Sequence, residues 1–246
     1  MKFSIITAVF NRAGTVAQAI NSVRSQVDVE VEHVVVDGAS RDGSVAILQA
    51  MQHPGMVLIS EPDRGIYDAL NKGVHLATGD FVGLMHSDDF FADERVLVDV
   101  AKAFEDPSVD AVYGDLDYVA KDNPSHIVRK WRSGEYSRGR LAWGWMPPHP
   151  TLFLRRSVLE RWGGYDASYR IAADYDSVLR FFGRGGIRPA YIPRVLVKMR
   201  VGGESNRSLG RILQKSFEDY RALRSNGVGG FGALAWKNLS KVGQFR

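Results

Sequence analysis

From residue 2 onward the chain alternates between two hydrophobic periods. The run "KFSIITAVF" is continuously apolar and rich in β-branched residues, whereas "GTVAQAINSVRSQ" spaces Val16, Ala19, Ile20 and Val23 as one face of a helix. The same alternation continues through "VEHVVVDG", "MVLISE" and "GDFVGLMHSDD", which read as strands, and "GSVAILQAMQ" and "GIYDALNKGVHLA", which read as helices. The series is βαβαβαβ. Strands that are apolar at every position, not every second one, must be covered on both faces, so the pattern predicts an α/β fold around a mostly parallel sheet.

Polar residues interrupt this pattern at one kind of place. Asn11 and Arg12 follow the first strand, Asp37 ends the second, Asp63 and Arg64 follow the third, and Asp88 and Asp89 end the fourth. These are all strand carboxyl ends, the edge of an open α/β sheet where ligands bind. Taken singly, each has a plainer explanation: Asp37-Gly38 as turn chemistry, Asp63 as a helix cap. Together they predict a ligand crevice. After residue 106 the alternation breaks. "VDAVYGDLDYV", "HIVRKW", "HPTLFLRRSV" and "AYIPRVLVKMR" read as strands of a mixed continuation, "AADYDSVLRFFGR" as a helix, and "SRGRLAWGWMPPHP" as a loop exposing Trp143 and Trp145.

Composition narrows the function classes. The chain has 246 residues, no cysteine, 45% hydrophobic and 24% charged residues, which fits one compact domain and excludes a disulfide framework, a thiolate metal site and a Cys nucleophile. Asn11 and Arg12 cut short the first apolar run before a signal-peptide core develops, and no stretch is long enough to span a bilayer, so a cytoplasmic location is expected. The net charge of +4 is uneven: residues 207–246 carry eight basic and two acidic side chains, +6 in all, leaving −2 for the rest. That segment also holds Phe231, Leu234, Leu239, Val242 and Phe245 beside Lys237 and Lys241, a composition suited to an anionic membrane surface. No nucleic-acid-binding motif accompanies it. Its "GVGGFG" matches the dinucleotide pattern formally, but no strand precedes it, so it reads as a flexible joint.

Adjacent carboxylates at Asp88 and Asp89 repel unless solvated, capping a helix or neutralised by a cation; an oxygen-rich site of this kind favours Mg²⁺ or Mn²⁺ bridging to ligand phosphates. Spacing alone does not choose among these. The ordered blocks "SIITAVFNR", "VVVDGASRDGS", "EPDRGIYDALNKGVHLATGDFVGLMHSDD", "GDLDYV", "HPTLFLRRSVLERWGGYD", "AADYDSVLR" and "GGES" do: over residues 1–206 the chain resembles family 2 glycosyltransferases of the GT-A fold, bacterial cell-surface polysaccharide type.

The resemblance implies a GT-A domain over 1–206, with 1–106 binding the nucleotide sugar and 107–206 the acceptor, followed by a basic helical tail over 207–246. It implies that Thr7, Phe10, Asn11 and Asp37 hold the base and ribose, with Asp37 accepting from a uracil imide. Arg64 and Asn71 would lie near the nucleotide or its phosphates, Asp88 would face the ribose or donor sugar, and Asp89 would bind Mn²⁺ or Mg²⁺. His149 would touch the diphosphate or acceptor, although a lone His after two prolines reads equally as structural. His86 is set aside, because strand alternation would turn it from the aspartates. Ser205 would sit in a loop closing over the donor.

The family's catalytic base lies in a Glu-Asp pair, here Ala173-Asp174, so Asp174 is the expected base and Asp176 its competitor. The implied activity is metal-dependent, inverting transfer from a UDP-sugar to a lipid-linked or saccharide acceptor, at the inner face of a bacterial cytoplasmic membrane. Two rivals stay open: a sugar-phosphate nucleotidyltransferase, whose Gly-rich N-terminal loop is missing, and a catalytically impaired nucleotide-sugar-binding scaffold, which the altered Ala173-Asp174 pair allows.

Overall fold

A computed structural model of the chain describes residues 1–202, 209–230 and 232–234. Ser205 and most of the expected membrane-facing residues (Phe231, Lys237, Leu239, Lys241, Val242 and Phe245) lie outside the described residues.

The first half follows the sequence pattern closely. Strands β1 (Lys2–Val9), β2 (Glu30–Asp37), β3 (Met56–Ser60) and β4 (Phe81–Leu84) alternate with helices α1 (Val16–Arg24), α2 (Ser44–Ala50) and α3 (Ile66–Leu76). They pair in parallel in the order β3-β2-β1-β4. The unbroken apolar runs divide between two faces as strand geometry requires. On β1, Ile6 and Ala8 pack with Leu70 of α3, while Phe3 and Ile5 pack on the opposite side with Ala19 and Val23 of α1. Gly73 lets α3 lie close to the sheet, since a Cβ there would fall 2.3 Å from Ile6 Cγ2.

The fourth strand is shorter than expected. It ends at Leu84, and residues 85–89 form a turn before the two-residue strand β5 (Phe90–Phe91) and helix α4 (Val96–Ala103). The second half is mixed, as the broken alternation predicted. Strands β6 (Ala111–Val119), β7 (Ile127–Trp131), β8 (Phe153–Arg155) and β9 (Pro189–Arg200) continue the sheet as β4-β8-β6-β9-β5, with β7 on β6. The loop expected over 137–150 contains a short helix, α5 (Arg138–Ala142), and Trp143 stands exposed after it. Helix α6 (Arg156–Trp162) follows β8, and α7 (Ala173–Val178) runs on into a π-helical segment, Leu179–Arg184.

Helix α8 (Leu209–Ser225) departs from the expected tail. Ala222 and Leu223 are fully buried in the cluster that holds Tyr175 and Val178 of α7, and Ala233 is buried beyond them. Packing therefore continues well past residue 206. The glycine-rich segment is also no free joint: Gly227 and Gly229 have φ of 66° and 98°, and a Cβ on Gly229 would lie 2.9 Å from the Ala142 carbonyl oxygen. These glycines close α8 with left-handed backbone in a packed turn.

Candidate functional site

The strand carboxyl ends open into a cavity of about 1740 Å³ that runs from the β1 and β2 ends to the aromatic loops of the second half. At the first end, Phe10 is exposed beside Gly38 and Asp63. A Cβ on Gly38 would fall 2.3 Å from Asp63 Oδ2 and 3.3 Å from the Phe10 ring. Its missing side chain keeps this end open. Asp37, at the end of β2, is fully buried; its Oδ2 accepts from Ser40 N at 2.9 Å and Ser60 Oγ at 2.8 Å, while Oδ1 has no partner. A buried carboxylate oxygen left bare is costly unless a ligand donor completes it.

Four residues expected on the nucleotide are placed elsewhere. Thr7 is buried in the sheet, its Oγ1 2.9 Å from His33 Nε2. Asn11 staples two loops, its N–H donating to Ser40 Oγ and its Oδ1 accepting from Arg41 N. Its φ of 52° turns the chain so that Phe10 and Arg12, on either side of it, both line the cavity. Arg64 points to solvent and pairs with Asp68 one helical turn on, at 3.0 Å. Asn71 joins α3 to the turn before α7, donating to Tyr165 O at 2.7 Å and accepting from Tyr165 N at 2.8 Å.

The adjacent aspartates also separate. Asp88 lines the cavity, with Arg12 Nε 3.9 Å from its carboxylate. Asp89, expected to be the metal ligand, is fully buried behind it and accepts from Arg200 N at 3.1 Å. Burial, with Asp88 adding, pushes the Asp89 carboxyl well above the usual carboxylate range. Arg200, at the end of β9, donates to the Asp88 carbonyl at 2.6 Å, bonds Gln18 of α1, and stacks over the Phe90 ring. It thereby fixes the 85–89 turn. Because β4 has already ended, alternation no longer governs His86, which lines the cavity with its ring centroid 6.0 Å from that of His149.

Asp174 projects from the first turn of α7 into the cavity, near His86, His149 and Tyr118. Its competitor Asp176 does not line the cavity; it is buried against Asn226, in the turn that follows α8, at 2.8 Å and lies 3.6 Å from Arg180. His149 Nε2 lies 2.9 Å from the Tyr165 hydroxyl. Burial lowers His149 to about 4, and burial with His53 nearby lowers His33 to about 3.

Neutral buried histidines fix a pH dependence of stability. The unfolded chain binds protons at these positions below its pKa of about 6.5 while the folded chain does not, so their contribution is complete above 6.5 and is lost on acidification toward 4 and 3. The urea midpoint is expected to fall between pH 7.5 and 5.0, the two histidines lowering the unfolding free energy by up to about 2.7 kcal/mol per pH unit and the raised Asp89 carboxyl offsetting part of that fall. Equal midpoints at the two pH values would refute this.

Among the described residues, no group of three or more His, Cys, Asp or Glu side chains is placed to enclose a metal. The donor set fits a different arrangement. The Asp88 carboxylate on the cavity wall suits a hard cation that takes its remaining ligands from phosphates and water, as Mg²⁺ and Mn²⁺ do. Arg12, His86 and Arg200 are members of the site that sequence reading did not assign. Arg12 was signalled by its place after the first strand, whereas nothing local marked Arg200.

Residues 4–163 match the model of Glycosyl transferase family 2. The PGL/p-HBAD biosynthesis glycosyltransferase of Mycobacterium bovis is 30% identical over 214 residues, covering 83% of this chain and 79% of that protein. The crystal structure of Staphylococcus aureus TarS 1-349 in complex with UDP-GlcNAc superposes with a TM-score of 0.71 at 19% identity, over 93% of this chain and 66% of that longer one. A mannosyltransferase from Pyrobaculum calidifontis, in complex with GDP-Man and Mn²⁺, superposes with a TM-score of 0.65 at 20% identity, over 91% and 63%.

Proposed function

Since the chain belongs to glycosyl transferase family 2 and carries the GT-A fold, we propose that it moves a sugar from a UDP-sugar to a hydroxyl of a lipid-linked or saccharide acceptor, with inversion. The observation that carries this reading is the convergence of Asp88 and Asp174, from opposite halves of the chain, on one cavity. One neighbour of this fold, TarS, binds UDP-GlcNAc and another binds GDP-Man, so the binding test takes both nucleotides.

The base would lie against Phe10, and the bare Asp37 oxygen is available to accept its imide N–H. Asp88 would hold Mn²⁺ or Mg²⁺ together with the donor diphosphate. When bound, the ion supplies positive charge that makes the diphosphate a better leaving group. Asp174 takes the proton of the acceptor hydroxyl as its oxygen bonds to the anomeric carbon; the bond to the diphosphate breaks on the opposite face, and UDP leaves with the electron pair. One displacement inverts the centre and needs no covalent sugar intermediate. Arg12, beside Asp88, would stabilise the charge that develops on the departing group.

The acceptor would enter past Trp143, whose exposed ring at the cavity wall offers a face for a sugar or a lipid chain. We place the reaction at the cytoplasmic face of the inner membrane. In support, α8 exposes Leu213 and Phe217 with Arg224 on the same helix. Among the described residues no helix is long and apolar enough to cross a membrane.

Calorimetric titration of UDP and of GDP, each with and without Mn²⁺, tests the reading. UDP is expected to bind more tightly with Mn²⁺ than without, and Phe10→Ala to weaken it about tenfold or more through lost stacking, worth about 1–3 kcal/mol. If neither nucleotide bound under any of these conditions, the donor-site assignment would fail.

A further inference from the structure

The segment expected as a basic tail carries two acidic residues, and both are buried. Asp219 accepts from Lys215 one turn earlier on α8 at 2.8 Å. Glu218 does something else. Its carboxylate crosses to the turn in front of α7 and accepts from three successive backbone N–H groups: Arg170 at 3.3 and 3.2 Å to its two oxygens, Ile171 at 2.8 Å and Ala172 at 3.0 Å. Gln214 Nε2 donates to it at 3.0 Å from the preceding turn of α8.

Consecutive N–H groups converging on one carboxylate form a nest, whose geometry is lost when the accepting oxygens are removed. The nest ends two residues before Asp174. Its middle residue, Ile171, accepts from the Tyr67 hydroxyl at 2.6 Å, so the same turn is held from α3 as well. Farther along α7, Asn226 donates to Asp176 at 2.8 Å. The turn and helix that carry Asp174 are therefore fastened at two points, to α8 and to the turn that closes it, while the Asp174 side chain faces the cavity.

We propose that Glu218 is a positioning residue for the transfer reaction: it sets where α7 begins, and so where the Asp174 carboxylate meets the acceptor hydroxyl, without touching either substrate. This rests on the proposed role of Asp174. Loss of the nest frees three N–H groups to seek other partners and lets the turn shift. Displacement of a reacting group by about 1 Å costs about a hundredfold in rate.

In the full chain, Glu218→Ala is expected to lower kcat by about 10- to 100-fold, with the Kd for UDP and Mn²⁺ within twofold of the parent. Glu218→Gln, whose amide oxygen still accepts from Ile171 and Ala172, should recover most of that loss. Leu223→Ala, which opens a cavity in the same helix interface without touching the nest, should lower the melting temperature at least as far and leave kcat within a few-fold. Hydrogen exchange gives a readout independent of turnover: the Ile171 and Ala172 amides should exchange faster in Glu218→Ala than in Leu223→Ala.

Unchanged exchange at these two amides, or faster exchange with unchanged kcat, would overturn the proposal. So would a kcat loss in Leu223→Ala equal to that in Glu218→Ala, because the effect would then follow stability. If the parent chain turned over no donor, the transferase reading would fail, and amide exchange would still decide whether Glu218 holds the turn.

Discussion

Asp174→Asn is expected to lower sugar transfer by about 10³-fold, within the range of a lost general base, while UDP binding in the presence of Mn²⁺ stays close to that of the parent. The amide keeps the shape and the acceptor oxygen that takes a hydrogen bond from Tyr175 N at 2.8 Å. It removes only the capacity to take a proton. A steady-state assay with a UDP-sugar, paired with calorimetry on the same preparation, separates the two effects. Asp176→Asn is the informative contrast. Asp176 is buried between Asn226 and Arg180 and stands outside the cavity, so its replacement should lower the melting temperature and cost far less in kcat. An Asp174→Asn protein with an unchanged rate would remove Asp174 as the base. A parent chain that bound donor but never turned it over would favour the scaffold reading.

Asp88→Asn is expected to abolish most of the advantage that Mn²⁺ gives to UDP binding, a loss of several kcal/mol or about a hundredfold and more. Asp88 presents its carboxylate to the cavity beside Arg12, where it can hold a cation against the donor diphosphate. Asp89→Asn should behave differently despite being adjacent. Asp89 is buried off the cavity wall and accepts from Arg200 N through one oxygen, a contact that an asparagine keeps. Titration of UDP with and without Mn²⁺ into both variants tests the distinction. Equal loss of the Mn²⁺ effect in the two would return the ion to Asp89; no loss in either would remove the pair from cation binding.

The alternation of apolar runs was enough to read the parallel β3-β2-β1-β4 half, because strand and helix periods repeat within a few residues and need no distant partner. It also pointed to the crevice, since polar residues that interrupt an apolar strand at its carboxyl end have few other places to go. Asp37, Asp88 and Asp174 were all singled out this way or by resemblance, and each stands at the cavity or, for Asp37, buried at its first end with one oxygen bare.

Sequence reading went astray where orientation was at stake. Thr7, Asn11, Arg64 and Asn71 lie in the expected segments, yet each spends its polar groups on a neighbour: His33, Ser40 and Arg41, Asp68, and Tyr165 respectively. His86 was set aside on an alternation that stops once β4 ends.

The α/β plan, the family and the candidate acidic residues are legible in the chain because they depend on local pattern and ordered motifs. Only the tertiary structure decided which member of each acidic pair faces the cavity. Asp88 rather than Asp89 is presented because Arg200, 111 positions later, pins the turn that holds them. Asp174 rather than Asp176 is presented because Asn226, just past α8, claims Asp176, and Glu218 of α8 fastens the preceding turn. Adjacent and near-adjacent carboxylates are chemically equivalent along the chain. They become different only when distant backbone and side-chain partners bury one and leave the other at the cavity wall.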